Sequence, residues 1–427
     1  SAIKIVKENL KELEKTLHGV YLIKETSTKT MDLIMSFGER LSTHIISHSI
    51  KNAEQLDSRK LLKTNNDFGY AKLNFSKTFK NIQKHLKKPK KLQIITGFIA
   101  STEDGETTTL GRGGSDYTAS IFAAALNAEE IEIWTDVDGI MTADPREVKK
   151  SFSIKNISYT EAMEMSHFGT KVIHPPTMQP ASNKNIPIRI KNTLNPEFEG
   201  SVISLKTSSA LTIKGISTIK NIVLLRVQGG GMVGVTGISR RLFGSLARAE
   251  INIILITQAS SEHSICFVVK LEESKKAKTT IEEEFELEIE AKKINKVIIE
   301  KDLSIIAIIG ENMRHKPGVS GKMFQALGQN GINVVAIAQG SSELNISAVI
   351  PNKDTAKAIN ALHDSFFLSE TKSLNLFIIG ATGLIGSTLI KQIEKEKNRI
   401  RKDQKLNIKI VGLANSKKMD FNKEEVT

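Results

Sequence analysis

The 427-residue sequence holds a single cysteine, Cys266, a single tryptophan and four tyrosines. One cysteine, set in the apolar run HSICFVVK, rules out a disulfide framework and fits a reducing compartment. No apolar run reaches the roughly 18 residues that a membrane-spanning helix needs, which argues against a membrane partner. The opening SAIKIVKENLKELEK reads as an amphipathic charged helix, not a signal peptide. No nucleic-acid motif is present, although Lys and Arg number 60 against 47 Asp and Glu, a net charge of +13. The lysines are scattered over stretches such as KKPKK and ESKKAKTT, with no interleaved aromatics, so a nucleic-acid partner is disfavoured. A basic surface still draws small anions. A Walker A sequence is also lacking, which argues against the P-loop class.

At about 100–200 residues per domain, the length suggests two to four domains. Residues 1–30 read as helical with a polar break at His18-Gly19-Val20, and 31–58 as a glycine-punctuated loop leading into an apolar-striped helix. KLQIITGFIAST is a strand running into a turn, ETTTL a β-rich return, TASIFAAALNA a helix and EIEIWTDVDGI a strand. That order predicts parallel βαβ units, with IPIRIKN and GSVISL as further short strands. After residue 210 an internal repeat appears. Phe243, Asn252 and Gln258 match Phe324, Asn333 and Gln339, and Ser260-Ser261-Glu262 matches Ser341-Ser342-Glu343, all at one constant offset. Each copy reads helix, apolar strand, polar turn, alternating strand, which predicts two small α+β domains side by side. After about residue 370, LNLFIIGATGLIGSTLIKQ reads strand, glycine turn, helix.

The chemistry concentrates in TTTLGRGGSDYTAS, residues 107–120. Glycines let the backbone approach a ligand and adopt φ > 0. Ser115 and Asp116 fall where a helix begins and read as N-cap residues. A helix N-terminus with free N–H groups attracts anions, and Arg112 adds a planar fork for carboxylate or phosphate. Taken alone, the stretch reads equally well as an ordinary capped glycine turn. SFGER (36–40) offers a second glycine turn with Glu39 and Arg40. WTDVDGIMTADPR gathers Asp136, Asp138, Asp144 and Arg146 after a strand, and FGTKVIHPP carries Lys171. Glycine loops, acidic turns and separate cations suit phosphoryl transfer, which needs positioning and cationic stabilisation more than covalent help.

In combination, GFIAST, TTTLGRGGSDYTA, WTDVDGI, DPR and FGTKVIHP resemble aspartate kinases of the amino-acid kinase fold. The repeat resembles paired ACT domains, and LFIIGATGLIGSTLIKQ resembles the start of homoserine dehydrogenase. The fold class implied is α/β: a partial amino-acid kinase fold, two α+β ACT domains and the start of a Rossmann domain. The implied bounds are 1–205, 206–300, 301–370 and 371–427. The resemblance implies phosphorylation of L-aspartate by ATP with Mg²⁺. Glu39 would meet the substrate ammonium, and Arg112 its α-carboxylate, with Phe98 and Ser115 alongside. Asp116 would be the catalytic-site aspartate. Thr135, Asp136 and Met141 would line the nucleotide site, while Arg146 and Lys171 would face the phosphates. Gln258 and Gln339, with Asn252 and Asn333 nearby, would bind threonine as effector; lysine is the alternative. Gly380, Gly383 and Gly386 would cradle NADP(H) or NAD(H), in G-x-x-G-x-x-G spacing instead of the commoner G-x-G-x-x-G. A homo-oligomer through the ACT units, and a cytoplasmic or plastid location, follow from the same resemblance.

Two departures stand out. The family's K-F-G-G-T-S segment, whose lysine contacts the transferred phosphoryl group, is not found, so the chain reads as incomplete at both ends and as a poor kinase by itself. Met141 stands where the family often has tyrosine. The competing readings are a non-catalytic amino-acid sensor with a degenerate kinase body, and a kinase for another amino acid such as glutamate. Glu39, Arg112, Asp116, Arg146 and Lys171 argue against the first, and the tandem repeat against the second.

Overall fold

The computed structural model describes residues 2–87, 92–168, 174–205, 211–258, 263–367, 372–403 and 406–422. The chain divides into two units, Ser1–Asn360 and Ala361–Thr427. No described helix is long and apolar enough to cross a membrane.

In the larger unit, α1 (Ala2–Ile23) runs through His18-Gly19-Val20 without a break. One glycine costs a helix only about 1 kcal/mol, and α1 is 22 residues long, so the helix tolerates it. The interruption comes at Lys24, which takes positive φ. α2 (Thr28–Ser49) follows, opened by Ser27, whose side chain accepts from the Thr30 N–H. The loop and glycine turn expected at 31–40 are therefore helix; Gly38 has open space around it and needs no special conformation. β1 (Ala53–Leu56), α3 (Phe75–His85) and β2 (Leu92–Ile95) form a parallel β-α-β unit. β3 (Ile99–Ser101) and β4 (Thr107–Thr109) pair antiparallel, and α4 (Gly114–Leu126) follows. KLQIITGFIAST is thus two strands, split at Gly97-Phe98, where Phe98 takes φ 64°. Leu56, Leu62, Ile82, Ala100, Ile121 and Phe122 form the core of this half.

β5 (Ile131–Thr135), β6 (Asn156–Ser158), β7 (Ile188–Asn192) and β8 (Ser201–Ser204) make a sheet of order β5-β7-β8-β6, with β5 parallel to β7 and β6 to β8. α5 (Tyr159–His167) and α6 (Pro175–Asn183) lie between β6 and β7 in the chain. A complete capping box of Ser158 and Glu161 opens α5.

The repeat builds one shared sheet. β9 (Gly215–Gln228), α7 (Ile238–Arg248), β10 (Leu255–Gln258), β11 (Ser264–Lys270), α8 (Ser274–Glu284) and the short α9 (Glu286–Glu290) make the first copy. β12 (Ile298–Ile309), α10 (Val319–Gln329), β13 (Ala336–Gln339), β14 (Asn345–Pro351) and α11 (Thr355–Phe367) make the second. The strand order is β10-β11-β9-β12-β14-β13. The two copies are not separate side-by-side sheets, because each lends a strand segment to the other. Residues 216–219 of β9 pair with 305–308 of β12, and 298–300 of β12 pair with 224–226 of β9. The edge strands β10 and β13 come within 8 Å of each other at their Cα atoms. Ile222, Leu224, Val268, Ile305 and Ile309 of this sheet share one core with Ile157, Ile188 and Ile203 of the preceding sheet and Met165 of α5.

In the smaller unit, β15 (Lys372–Ile379) leads through a turn into α12 (Leu384–Asp403), and β16 (Leu406–Ala414) returns parallel to β15. β17 (Met419–Phe421) pairs antiparallel with β16. Ile378, Ala381, Ile393, Ile408 and Ile410 form its core.

Candidate active site

The glycine turn sits between β4 and α4. Gly111 and Gly113 both take φ 71°. A Cβ at Gly111 would collide with the Tyr70 ring, and one at Gly113 would sit 2.9 Å from the His174 Cβ. Gly113, in the left-handed region, is the N-cap of α4 and supplies no side-chain bond. Ser115 and Asp116 therefore lie inside the first turn and do not cap the helix. Asp116 is acidic where the helix dipole favours a negative charge, and burial pushes its carboxyl above the ordinary value.

Packing onto this turn is tight. A Cβ on Gly114 would lie 2.7 Å from the Phe98 ring, and one on Gly97 would lie 3.0 Å from Ser115 Oγ. Phe98 is held in its left-handed conformation from two sides: its N–H donates to Thr118 Oγ1 at 3.0 Å, and its carbonyl accepts from Leu110 N at 2.9 Å. Glu39 reaches the same place from α2, its Oε2 accepting from Gly97 N at 3.2 Å. Glu39, Phe98 and Ser115 thus lie together. Arg112 projects exposed from the turn. Burial, and then the Arg112 charge, lower the basicity of His174, whose Nδ1 is buried without a partner.

The acidic loop follows β5. Thr135 ends the strand, and its hydroxyl donates to Asp136 at 3.2 Å. Asp138 accepts from Asn192 and Asn195, so it ties the loop to the end of β7. Met141 bridges to Ser153. Arg146 is exposed and paired side-on with Asp144, with Nη2 to Oδ2 at 2.7 Å. That hydrogen bond holds the Asp144 carboxyl below its ordinary range. Lys171 lies outside the described residues, as do Ser260, Ser261 and Glu262.

Sequence reading missed a buried ion pair where the two larger sheets meet. Lys214 and Glu161 are each 1% exposed, with Nζ 4.0 Å from Oε2. Lys214 Nζ donates to Asn156 O at 2.9 Å, while Glu161 accepts from Ser158 N at 3.0 Å and from Glu311 N at 2.9 Å. Burial lowers the Lys214 pKa against the opposing pull of Glu161 and Glu311. Glu311 begins a short turn, Glu311–Met313, and Met313 lines a cavity of about 360 Å³ with His315, Gly318, Ser320, Gln339 and Glu343. Gln339 Oε1 accepts there from Ser320 Oγ at 3.3 Å. Gln258 holds the matching place at the end of β10 and is exposed. Asn252 and Asn333 are exposed and lie three residues before β10 and β13.

In the smaller unit, Gly380 takes φ 81°, and a Cβ on Gly386 would strike the Gly380 carbonyl. Gly383 N donates to Gly380 O at 3.0 Å. The three glycines therefore form one tight strand-to-helix turn.

The fold and this site define an amino acid kinase body followed by two ACT units. Residues 3–192 match the amino acid kinase family, and residues 225–285 and 306–366 each match the ACT domain. Escherichia coli aspartokinase III, solved in complex with aspartate and ADP, superposes with a TM-score of 0.71 at 30% identity, covering 85% of this chain and 81% of that one. The chain belongs to the aspartokinase family. It is 43% identical over 330 residues to the bifunctional aspartokinase/homoserine dehydrogenase of Haemophilus influenzae, covering 77% of this chain and 40% of that protein. It is 36% identical over 431 residues to the chloroplastic bifunctional enzyme 2 of Arabidopsis thaliana, covering 96% and 46%. The chain thus spans just under half the length of these curated relatives.

Proposed function

We propose that the chain is the kinase and regulatory part of a bifunctional aspartokinase–homoserine dehydrogenase, transferring the γ-phosphoryl group of ATP to the side-chain carboxylate of L-aspartate. One observation carries the reading: Glu39, the strained Gly97-Phe98 turn and the N-terminus of α4 pack against one another beside Arg112. This arrangement offers a carboxylate for an ammonium and a guanidinium plus a helix N-terminus for a carboxylate, which are the two charged ends of an amino acid. Asp116, Arg112 and Lys171 serve the transfer. Thr135, Asp136, Met141 and Arg146 serve the nucleotide, Arg146 after release from Asp144. Among the described residues, no three His, Cys, Asp or Glu side chains could hold a metal. Mg²⁺ would arrive on the ATP phosphates, as is usual for sites with few protein carboxylates.

The domain bounds proposed are 1–205, 206–300, 301–370 and 371–427. Threonine is the proposed effector, read by Gln258 and Gln339 within a homo-oligomer. The dehydrogenase-like turn favours threonine over lysine. Gly380, Gly383 and Gly386 fit a dinucleotide because no side chain crowds the turn, and bound NADP(H) or NAD(H) would supply hydride chemistry there. The test is aspartate-dependent ADP formation by the full-length protein, with the acyl phosphate trapped by hydroxylamine. Arg112→Ala should abolish the hydroxamate. ADP formation indifferent to aspartate would contradict the proposal.

A further inference from the structure

We infer that Asp32 is a positioning residue for the aspartate site, an inference that rests on the substrate reading above. Asp32 is 1% exposed and lies on α2 seven residues before Glu39. Seven residues are almost two helical turns, so both carboxylates face the same side, about 10 Å apart along the axis. Glu39 holds one wall of the site through Gly97 N. Asp32 holds the other. Its Oδ2 accepts from Thr109 N at 3.0 Å and Gly69 N at 2.9 Å, and its Oδ1 accepts from Thr109 Oγ1 at 2.7 Å.

These three donors flank the glycine turn. Thr109 ends β4, three residues before Arg112. Gly69 precedes Tyr70, whose ring occupies the space a Cβ at Gly111 would need. The two donor segments are also joined directly, Ala71 N donating to Thr109 O at 3.0 Å. All three partners of Asp32 are neutral. A buried carboxylate is costly unless its oxygens are satisfied, so this side chain enforces one placement of the strand end and of the loop that covers it. A single helix thus carries the group that meets the substrate ammonium and the group that fixes the turn bearing Arg112.

The test compares wild-type chain, Asp32→Asn and Asp32→Ala in calorimetric titrations of L-aspartate and, separately, of ADP, together with hydrogen exchange of the Thr109 and Gly69 amides. Losing one or two charge-assisted bonds should weaken aspartate binding by about ten- to a hundredfold. ADP affinity should change by less than about threefold, because the nucleotide residues lie on the β5 side. Both amides should exchange faster. Should the Asp32 variants fail to fold, Thr109→Val removes only the hydroxyl bond and should weaken aspartate binding about three- to tenfold, with Thr109→Ser restoring it. Asp32→Asn binding aspartate like wild type, or losing both ligands equally, overturns the inference. Unchanged exchange at both amides also overturns it. A wild-type chain that binds no aspartate, with exchange accelerated in Asp32→Asn, refutes the substrate reading and leaves the anchoring role standing.

Discussion

Glu161→Gln takes one charge out of a buried pair and leaves the other in place. With Nζ and Oε2 4.0 Å apart and both side chains 1% exposed, the attraction is about 4 kcal/mol at an effective dielectric constant near 20. That attraction does not fully offset the cost of burial, because the Lys214 ammonium is held below the ordinary lysine pKa despite Glu161 and Glu311. Glutamine leaves a buried ammonium with the Asn156 carbonyl as its hydrogen-bond partner and only the Glu311 charge to oppose it, and turns an amide NH₂ toward one of the Ser158 and Glu311 N–H donors. The expected loss is about 3–5 kcal/mol. Lys214→Met removes the ion that burial penalises and lets Glu161 keep both N–H donors, so only the Asn156 carbonyl is orphaned. That loss should be smaller, about 1–3 kcal/mol. The double variant should fall short of the sum by at least about 1 kcal/mol, as for any two residues in direct contact. Urea unfolding midpoints read all three. The pH dependence supplies a second readout. The folded chain holds the Lys214 proton less tightly than the unfolded chain, so wild-type stability rises with pH from the lowered folded pKa up to the ordinary 10.5. Lys214→Met lacks that rise. Equal losses from the two single substitutions, or strict additivity, would refute the reasoning.

Other outcomes follow from the same geometry. Asp116, whose pKa burial raises, should give the acidic limb of kcat/KM for aspartate a midpoint above the ordinary aspartate value, and Asp116→Asn should remove that limb. Because the folded state also holds the Asp116 proton more tightly, its contribution to stability falls as pH rises through that raised pKa, so Asp116→Asn should be more urea-resistant at neutral pH. Gly113→Ala places a side chain at φ 71° against His174 and should cost about 1–2 kcal/mol, with aspartate binding weakened more than stability. In calorimetry, Gln339→Ala should weaken threonine binding more than Gln258→Ala, because Gln339 lines a formed cavity.

The repeat was legible because self-similarity carries its own register: α7 and α10, β10 and β13, and β11 and β14 keep one constant spacing in the structure. The glycine turn was legible because Gly111 and Gly113 take the positive φ that marks such turns. α2 was misread for a physical reason. Its buried face carries Asp32, Ser36, Thr43, His44 and Ser47 around a single Phe37, so an apolar period is missing, and Gly38 looked like a break. Read as a helix, the same stretch would have shown Asp32 and Glu39 on one side. The exchange of strand segments between β9 and β12, and the Lys214–Glu161 pair, depend on residues far apart in sequence, and no local pattern marks them.

Titration of L-aspartate into the chain, with ADP present, tests the central claim most directly. The account predicts saturable binding that Arg112→Ala and Glu39→Gln each abolish, since in the proposed site each would meet one charged end of the substrate. Binding that survives both substitutions would place the amino acid elsewhere and contradict the assignment of the glycine turn.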